Sequence, residues 1–167
     1  IAPGEPLGSP DAVVIPGSKQ TLRDLASLRS SGLDAELIRY AGNGGELFGI
    51  CGGMQMLGEE LHDPQGLEGN VDRDQSGDNV AGLGLLPLRT VFGGEKALHQ
   101  RQVAVLWPNQ QPLLEVEGFE LHRGYSEAID DCQAFCVDAG LGWVRAGTEQ
   151  QGATSGTYLH GIFDNGP

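Results

Sequence analysis

The spacing of apolar positions changes along the chain, and the change splits it into two parts. "DAVVIP" (11–16) is a short β-branched run closed by Pro16 and Gly17, the pattern of a buried strand. Thr21 and Asp24 fit a helix start, and Leu22, Leu25 and Leu28 recur on one face until Gly32 stops the pattern. Leu33, Leu37, Tyr40 and Ala41 keep i, i+4, i+7, i+8 spacing, which predicts a second helix ending at "NGG". "ELFGI" (46–50) predicts the next strand, and Met54, Leu57 and Leu61 predict one more helix. Strand, helix, strand, helix on short loops predicts an α/β fold: a mostly parallel central sheet with helices on both faces.

Beyond residue 62 the pattern becomes polar, acidic and glycine-rich. "HDPQGLEGNVDRDQSGDNVAG" predicts a long surface loop. The runs "GLLPLRTVF", "RQVAVLW", "GFELHRGYS", "AFCVDA", "LGWVRA" and "SGTYLHGIF" then predict strands joined by turns. The second half is therefore β-rich and extends or decorates the sheet. No repeat or boundary interrupts residues 1–167, which read as a single domain.

Composition narrows the partners. The 167 residues, 39% hydrophobic and 20% charged, suit one globular core. A formal charge of −13, with no basic stripe, disfavours nucleic acid. No apolar run approaches the roughly 18 residues that span a bilayer, so no membrane role is expected. "IAPGEPLGSP" has no basic n-region and no initiator methionine, which suggests no signal peptide and a fragment of a longer protein. Three cysteines, Cys51, Cys132 and Cys136, are too few for a disulfide framework, so the cytoplasm is expected. "CQAFC" reads as strand cysteines rather than zinc ligands, and no metal is assigned.

Candidate chemistry concentrates at "GICGGMQMLG" (49–58). A thiol between a strand and a helix sits at a sharp turn, and the small residues around it admit strained angles and close approach of a substrate. A helix N-terminus favours thiolate, and such sites bring a cysteine pKa from about 8.5 to roughly 3.5–7.5. The same spacing also suits a buried cysteine at a glycine-rich turn. A phosphate loop is weaker, since no "GK[ST]" follows. A nucleophile needs a base. His62 and His99 lie in polar stretches and His122 fits a strand hydrogen-bonder, whereas His160 falls where an apolar strand meets Gly161.

Taken with "PDAVVIPGSKQTLRDLASLRSSGL", "GICGGMQMLGEELHDPQGLEGN", "GLGLLPLRT", "GFELHRGYS" and "GTYLHGIFDN", the chain resembles the class I glutamine amidotransferases, and within them the C-terminal glutaminase domain of the cobyric acid synthase family. The stretches run in the family's order from about residue 10 to 165. The resemblance implies a flavodoxin-like fold, with Cys51 as nucleophile and His160 as general base and acid. It implies oxyanion or substrate-binding roles for Gly52, Gly17, Ser18 and Gln55. It further implies glutamine as substrate and no cofactor in this domain. Ammonia would pass to an N-terminal synthetase domain using ATP and Mg2+, which amidates a corrinoid, adenosylcobyrinic acid a,c-diamide. Related glutaminase domains of cobyrinic acid a,c-diamide synthase and lipid II isoglutaminyl synthase are the alternatives, and a catalytically silent docking domain is an alternative of another class. One position departs from the wider pattern. Many class I members carry a glutamate two residues after the histidine, and here that residue is Ile162. Asp164, Glu120 and His122 are available, but the third role is assigned to no side chain, and a backbone carbonyl is expected to orient the imidazole.

Overall fold

The computed structural model describes residues 4–68, 79–106, 114–138, 140–145 and 152–165. The first half follows its periodicity: β1 (Ala12–Ile15), α1 (Thr21–Ser31), α2 (Leu33–Gly42), β2 (Glu46–Ile50) and α3 (Gly52–Leu57). Gly32 takes a left-handed φ of 78°, closes α1 on the carbonyls of Leu28 and Arg29, and leads directly into α2. β1 and β2 pair in parallel, with Ile15 opposite Gly49. β1 is an edge strand rather than a buried one, and its Val14 is 47% exposed.

β11 (Thr154–Thr157) adds in parallel on the other side of β2, and β10 (Gly142–Arg145) and β9 (Gln133–Ala134) follow antiparallel. The central order is β1-β2-β11-β10-β9. Alternation along the strands separates two cores. Ile15, Leu47 and Trp143 share one with Leu22, Leu25, Leu37, Met54 and Leu57 of the three helices. Phe48 and Val144 share the other with Val103, Val116 and Leu159. The second face is thus covered by the hairpin of β6 (Ala97–Val105) and β7 (Leu114–His122), where a helical layer was expected. That hairpin presents Val103 opposite Val116, an apolar surface sufficient to close the core without a helix.

α3 lies close on the sheet because glycine permits it. A Cβ on Gly53 would stand 2.1 Å from the Ile15 carbonyl oxygen, and one on Gly49 would stand 2.6 Å from Met54 Cα. The helix is shorter than its apolar stripe predicts. It stops at Gly58, and Leu61 belongs instead to β3 (Glu60–His62), which pairs with β4 (Asn79–Ala81) and β5 (Leu88–Val91). Strand pairing overrides helical spacing there. β8 (Tyr125–Ala128) completes this sheet, in the order β4-β3-β5-β8. The expected surface loop holds β4 and the buried side chains of Asp63 and Glu68, and its residues 69–78 lie outside the described ones.

The run "SGTYLHGIF" is divided between sheets. After β11 the chain changes sheet at the buried Tyr158, and β12 (Leu159–His160) pairs with β7, His160 opposite Phe119. A short 3-10 turn, Ile162–Asp164, follows. Among the described residues no helix is long and apolar enough to cross a membrane.

Candidate active site

Cys51 occupies the single residue between β2 and α3. Its N–H donates to the Thr157 carbonyl at 2.8 Å, and its own carbonyl accepts the first helical bond, from Gln55 N–H at 3.0 Å. Pinned on both sides, it adopts φ 51° and ψ −111°, the one positive φ outside glycine among the described residues. Such a conformation costs roughly 1–3 kcal/mol and persists where the surroundings enforce it. Here it turns the thiol into a cleft of about 500 Å³ that Gly17, Ser18, Gln55 and His160 also line.

His160 reaches that cleft from the other end of the chain. A side chain beginning at Gly17 would lie 2.9 Å from His160 Cε1 and 3.7 Å from Cys51 Cβ, so the three segments meet at one point. The two candidate catalytic side chains do not bond each other directly. Cys51 Sγ donates to the Leu121 carbonyl at 3.3 Å, and His160 Nε2 is buried without a hydrogen-bond partner among the described residues. The imidazole stacks on Phe119 at 5.0 Å with ring planes 10° apart.

Burial pushes the Cys51 thiol up to about 11, opposed by the Gly52 N–H, raised further by the nearby Glu68 carboxylate and eased by Lys96. A depressed thiol pKa was expected from the helix terminus. Desolvation outweighs that terminus, which belongs to a helix of only six residues. Burial also lowers the His160 pKa below its ordinary value, while the Leu121 backbone pulls it up and His122 pulls it down. Both shifts favour the uncharged forms, thiol and imidazole.

The remaining expected residues divide. Gly52 packs on the Gly17–Ser18 turn, since a Cβ on it would meet Ser18 N at 2.8 Å. The Ser18 hydroxyl bonds Asp24 and accepts the Gln20 N–H, which ties the turn to α1. Gln55 is buried, with its amide committed at both ends: Oε1 accepts from Thr21 Oγ1 at 3.3 Å and Nε2 donates to Tyr158 OH at 3.2 Å. It braces α3 against α1 and against Tyr158, the residue between β11 and β12. Among the described residues no carboxylate forms a hydrogen bond or ion pair with His160. Asp164 is exposed, and Glu120 is held by Arg101 at 2.6 Å and His122 at 2.8 Å. Burial works against the Glu120 charge, but those two partners outweigh it and hold its carboxyl below the ordinary range. The Leu121 carbonyl, Glu68, Lys96 and Arg123 went unnoticed in the sequence. A backbone carbonyl leaves no residue-type signal, and Glu68 lies in the polar, acidic run that predicts a surface loop. In "CQAFC", Cys132 Sγ donates to the Val144 carbonyl and Cys136 Sγ to that of Asp138.

Comparison with known proteins fixes the family. The model of the CobB/CobQ-like glutamine amidotransferase domain matches residues 1–167. The chain belongs to that family. It is 64% identical over its full length to a cobyric acid synthase of Synechococcus sp. (strain WH7803), covering 34% of that protein. It is 59% identical to one from Parasynechococcus marenigrum (strain WH8102), covering all of this chain and 32% of that protein. The glutamine amidotransferase domain thus spans about a third of the length of the curated relatives it matches. A crystal structure of a glutamine amidotransferase superposes with a TM-score of 0.60 at 15% identity, covering 92% of this chain and 71% of that one, and shares its fold.

Proposed function

We propose that Cys51 and His160 carry the glutaminase half-reaction of a cobyric acid synthase. The observation that carries this reading is the strained Cys51 elbow opening on the same cleft as His160. His160 takes the thiol proton as sulfur attacks the side-chain amide carbon of glutamine. The N–H groups of Gly52 and of Gly17 or Ser18 face the oxyanion that forms. The imidazolium then returns its proton to the departing nitrogen, which leaves as ammonia. Water, deprotonated by His160, attacks the thioester, and glutamate leaves as sulfur regains a proton. The sum is glutamine and water to glutamate and ammonia.

On this reading the 167 residues are one glutaminase domain of a longer enzyme. ATP and Mg2+ belong to its synthetase domain, since this chain has no "GxxxxGK[ST]" to cradle phosphates. There ammonia amidates peripheral carboxylates of adenosylcobyrinic acid a,c-diamide to give cobyric acid. The test is Cys51→Ala in the full-length protein. Glutamine-dependent amidation should vanish while amidation from an ammonium salt persists. Loss of both activities, or of neither, would overturn the assignment.

A further inference from the structure

A second histidine, His122, lines the cleft that holds Cys51 and His160, and its hydrogen bonds define its charge. Its Nε2 lies 2.8 Å from Glu120 Oε1, and its Nδ1 lies 3.1 Å from the Gly124 carbonyl oxygen. A backbone carbonyl only accepts. Glu120 also only accepts, because Arg101 Nε and Nη2 donate to its Oε2 at 2.8 Å and 2.6 Å, and an arginine keeps its proton. A neutral imidazole has one N–H and would set lone pair against lone pair at the other contact. Both contacts are made only when both ring nitrogens carry protons, which is the imidazolium.

The surroundings suit that cation. The side chains of His122 and Glu120 are each 9% exposed, so solvent screens their pairing weakly. The Tyr158 ring stacks on the imidazole, with centroids 3.7 Å apart and planes 18° apart, and an aromatic face attracts a positive charge. Arg101 and His122 share one carboxylate, which leaves the triad net positive beside the cleft. That sign matters to His160, which must be neutral to take a proton from the Cys51 thiol. Burial is the main reason its pKa lies low, and His122 lowers it further against the pull of the Leu121 backbone. We propose that Glu120, Arg101 and the Gly124 carbonyl lock His122 as an imidazolium, whose fixed charge holds His160 in its neutral, proton-accepting form. This rests on the glutaminase reading. His122 is a positioning residue that acts through His160.

The test is the acid limb of the pH profile of kcat/KM for glutamate release by the full-length protein, which reports the free enzyme's base. The other titratable or charged groups around His160 are Cys51, Glu68, Lys19, Lys96 and Arg123 of the cleft and Asp164 of the turn behind it. All stay in place when residue 122 is changed, so a difference between variants reports that residue. His122→Gln removes the charge, and His122→Lys replaces it with another. A cation near His160 opposes its protonation, so removing the cation raises the His160 pKa and moves the acid limb to higher pH. The limb should move up by roughly half a pH unit or more in His122→Gln, short of the 1–3 units of a charge in direct contact. In His122→Lys it should stay near that of the unaltered protein. No movement in His122→Gln, equal movement in both variants, or loss of activity in both would overturn the role of the charge. Neutron diffraction from crystals of the unaltered protein near neutral pH needs no variant. It should find a deuteron on both His122 ring nitrogens, and a bare nitrogen there would overturn the proposal. Glutamate release that survives Cys51→Ala would instead overturn the glutaminase reading itself.

Discussion

Cys51 and His160 reach one cleft by different routes. Cys51 is placed by neighbours in sequence: β2 before it, α3 after it, and a glycine-lined approach of α3 to β1. His160 is placed by pairings between distant segments. β11 must join β2, the chain must change sheet at Tyr158, and β12 must find β7. The thiols of the two halves extend the contrast. Burial pushes Cys51, Cys132 and Cys136 alike up to about 11. Acidity does not set Cys51 apart. Its strained backbone, the imidazole across the cleft and the charges around the substrate space do.

Substitutions that fill the close approaches in each half should separate the two routes. The largest effect is expected from Gly53→Ala. Helix propensity alone would favour alanine by about 1 kcal/mol. Here the new Cβ meets the Ile15 carbonyl at 2.1 Å, backbone against backbone, so overpacking wins by about 3 kcal/mol or more. Thermal denaturation should show a fall in Tm on the order of 10 °C, and an unchanged or raised Tm would break the close-packing claim. In the second half, a Cβ on Gly118 would lie 2.5 Å from the His160 carbonyl oxygen. Gly118→Ala should displace β12 and cost glutaminase activity roughly 100-fold, as a misplacement near 1 Å does. Its Tm should fall less than that of Gly53→Ala, and equal stability losses with full activity would erase the contrast.

A smaller effect concerns ionisation. Because burial disfavours the thiolate, the ionised fraction at Cys51 grows with pH up to about 11. Iodoacetamide labelling of Cys51 should therefore rise about tenfold per pH unit between roughly pH 7 and 9, without a plateau. A plateau already present at neutral pH would show a preformed ion pair. The lowered His160 pKa keeps its base form available at neutral pH, so protonation should remove glutaminase activity only below the ordinary histidine value, about 6.5.

The first half was largely legible because its signals are local. Leu22 and Leu25, then Leu37 and Ala41, mark the buried faces of α1 and α2, and Gly32 marks the break between them. The glycines around Cys51 marked the elbow, although their reason was helix-on-sheet contact as much as access to sulfur. Leu61 misled because an apolar residue at helical spacing can equally sit in a strand, and only pairing with β5 decides. The division of "SGTYLHGIF" at Tyr158 and the hairpin on the second face depend on partners far away in sequence. Glu68 was hidden by composition. An acidic residue in a polar loop reads as solvated until Asp63 is seen folding that loop inward.

The central claim is a cysteine and a histidine working without a carboxylate, with the Leu121 carbonyl facing both. Glutamate release by the full-length protein tests it when His160→Ala is measured beside Glu120→Gln and Asp164→Asn. His160→Ala should lose about 10²–10⁴-fold, the reach of general acid–base catalysis. Each amide variant should change the rate by less than about tenfold, under roughly 1.4 kcal/mol of barrier. A loss of about a thousandfold or more in Glu120→Gln or Asp164→Asn, on the scale of a lost triad acid and with Tm unchanged, would contradict the claim and reveal a third catalytic residue.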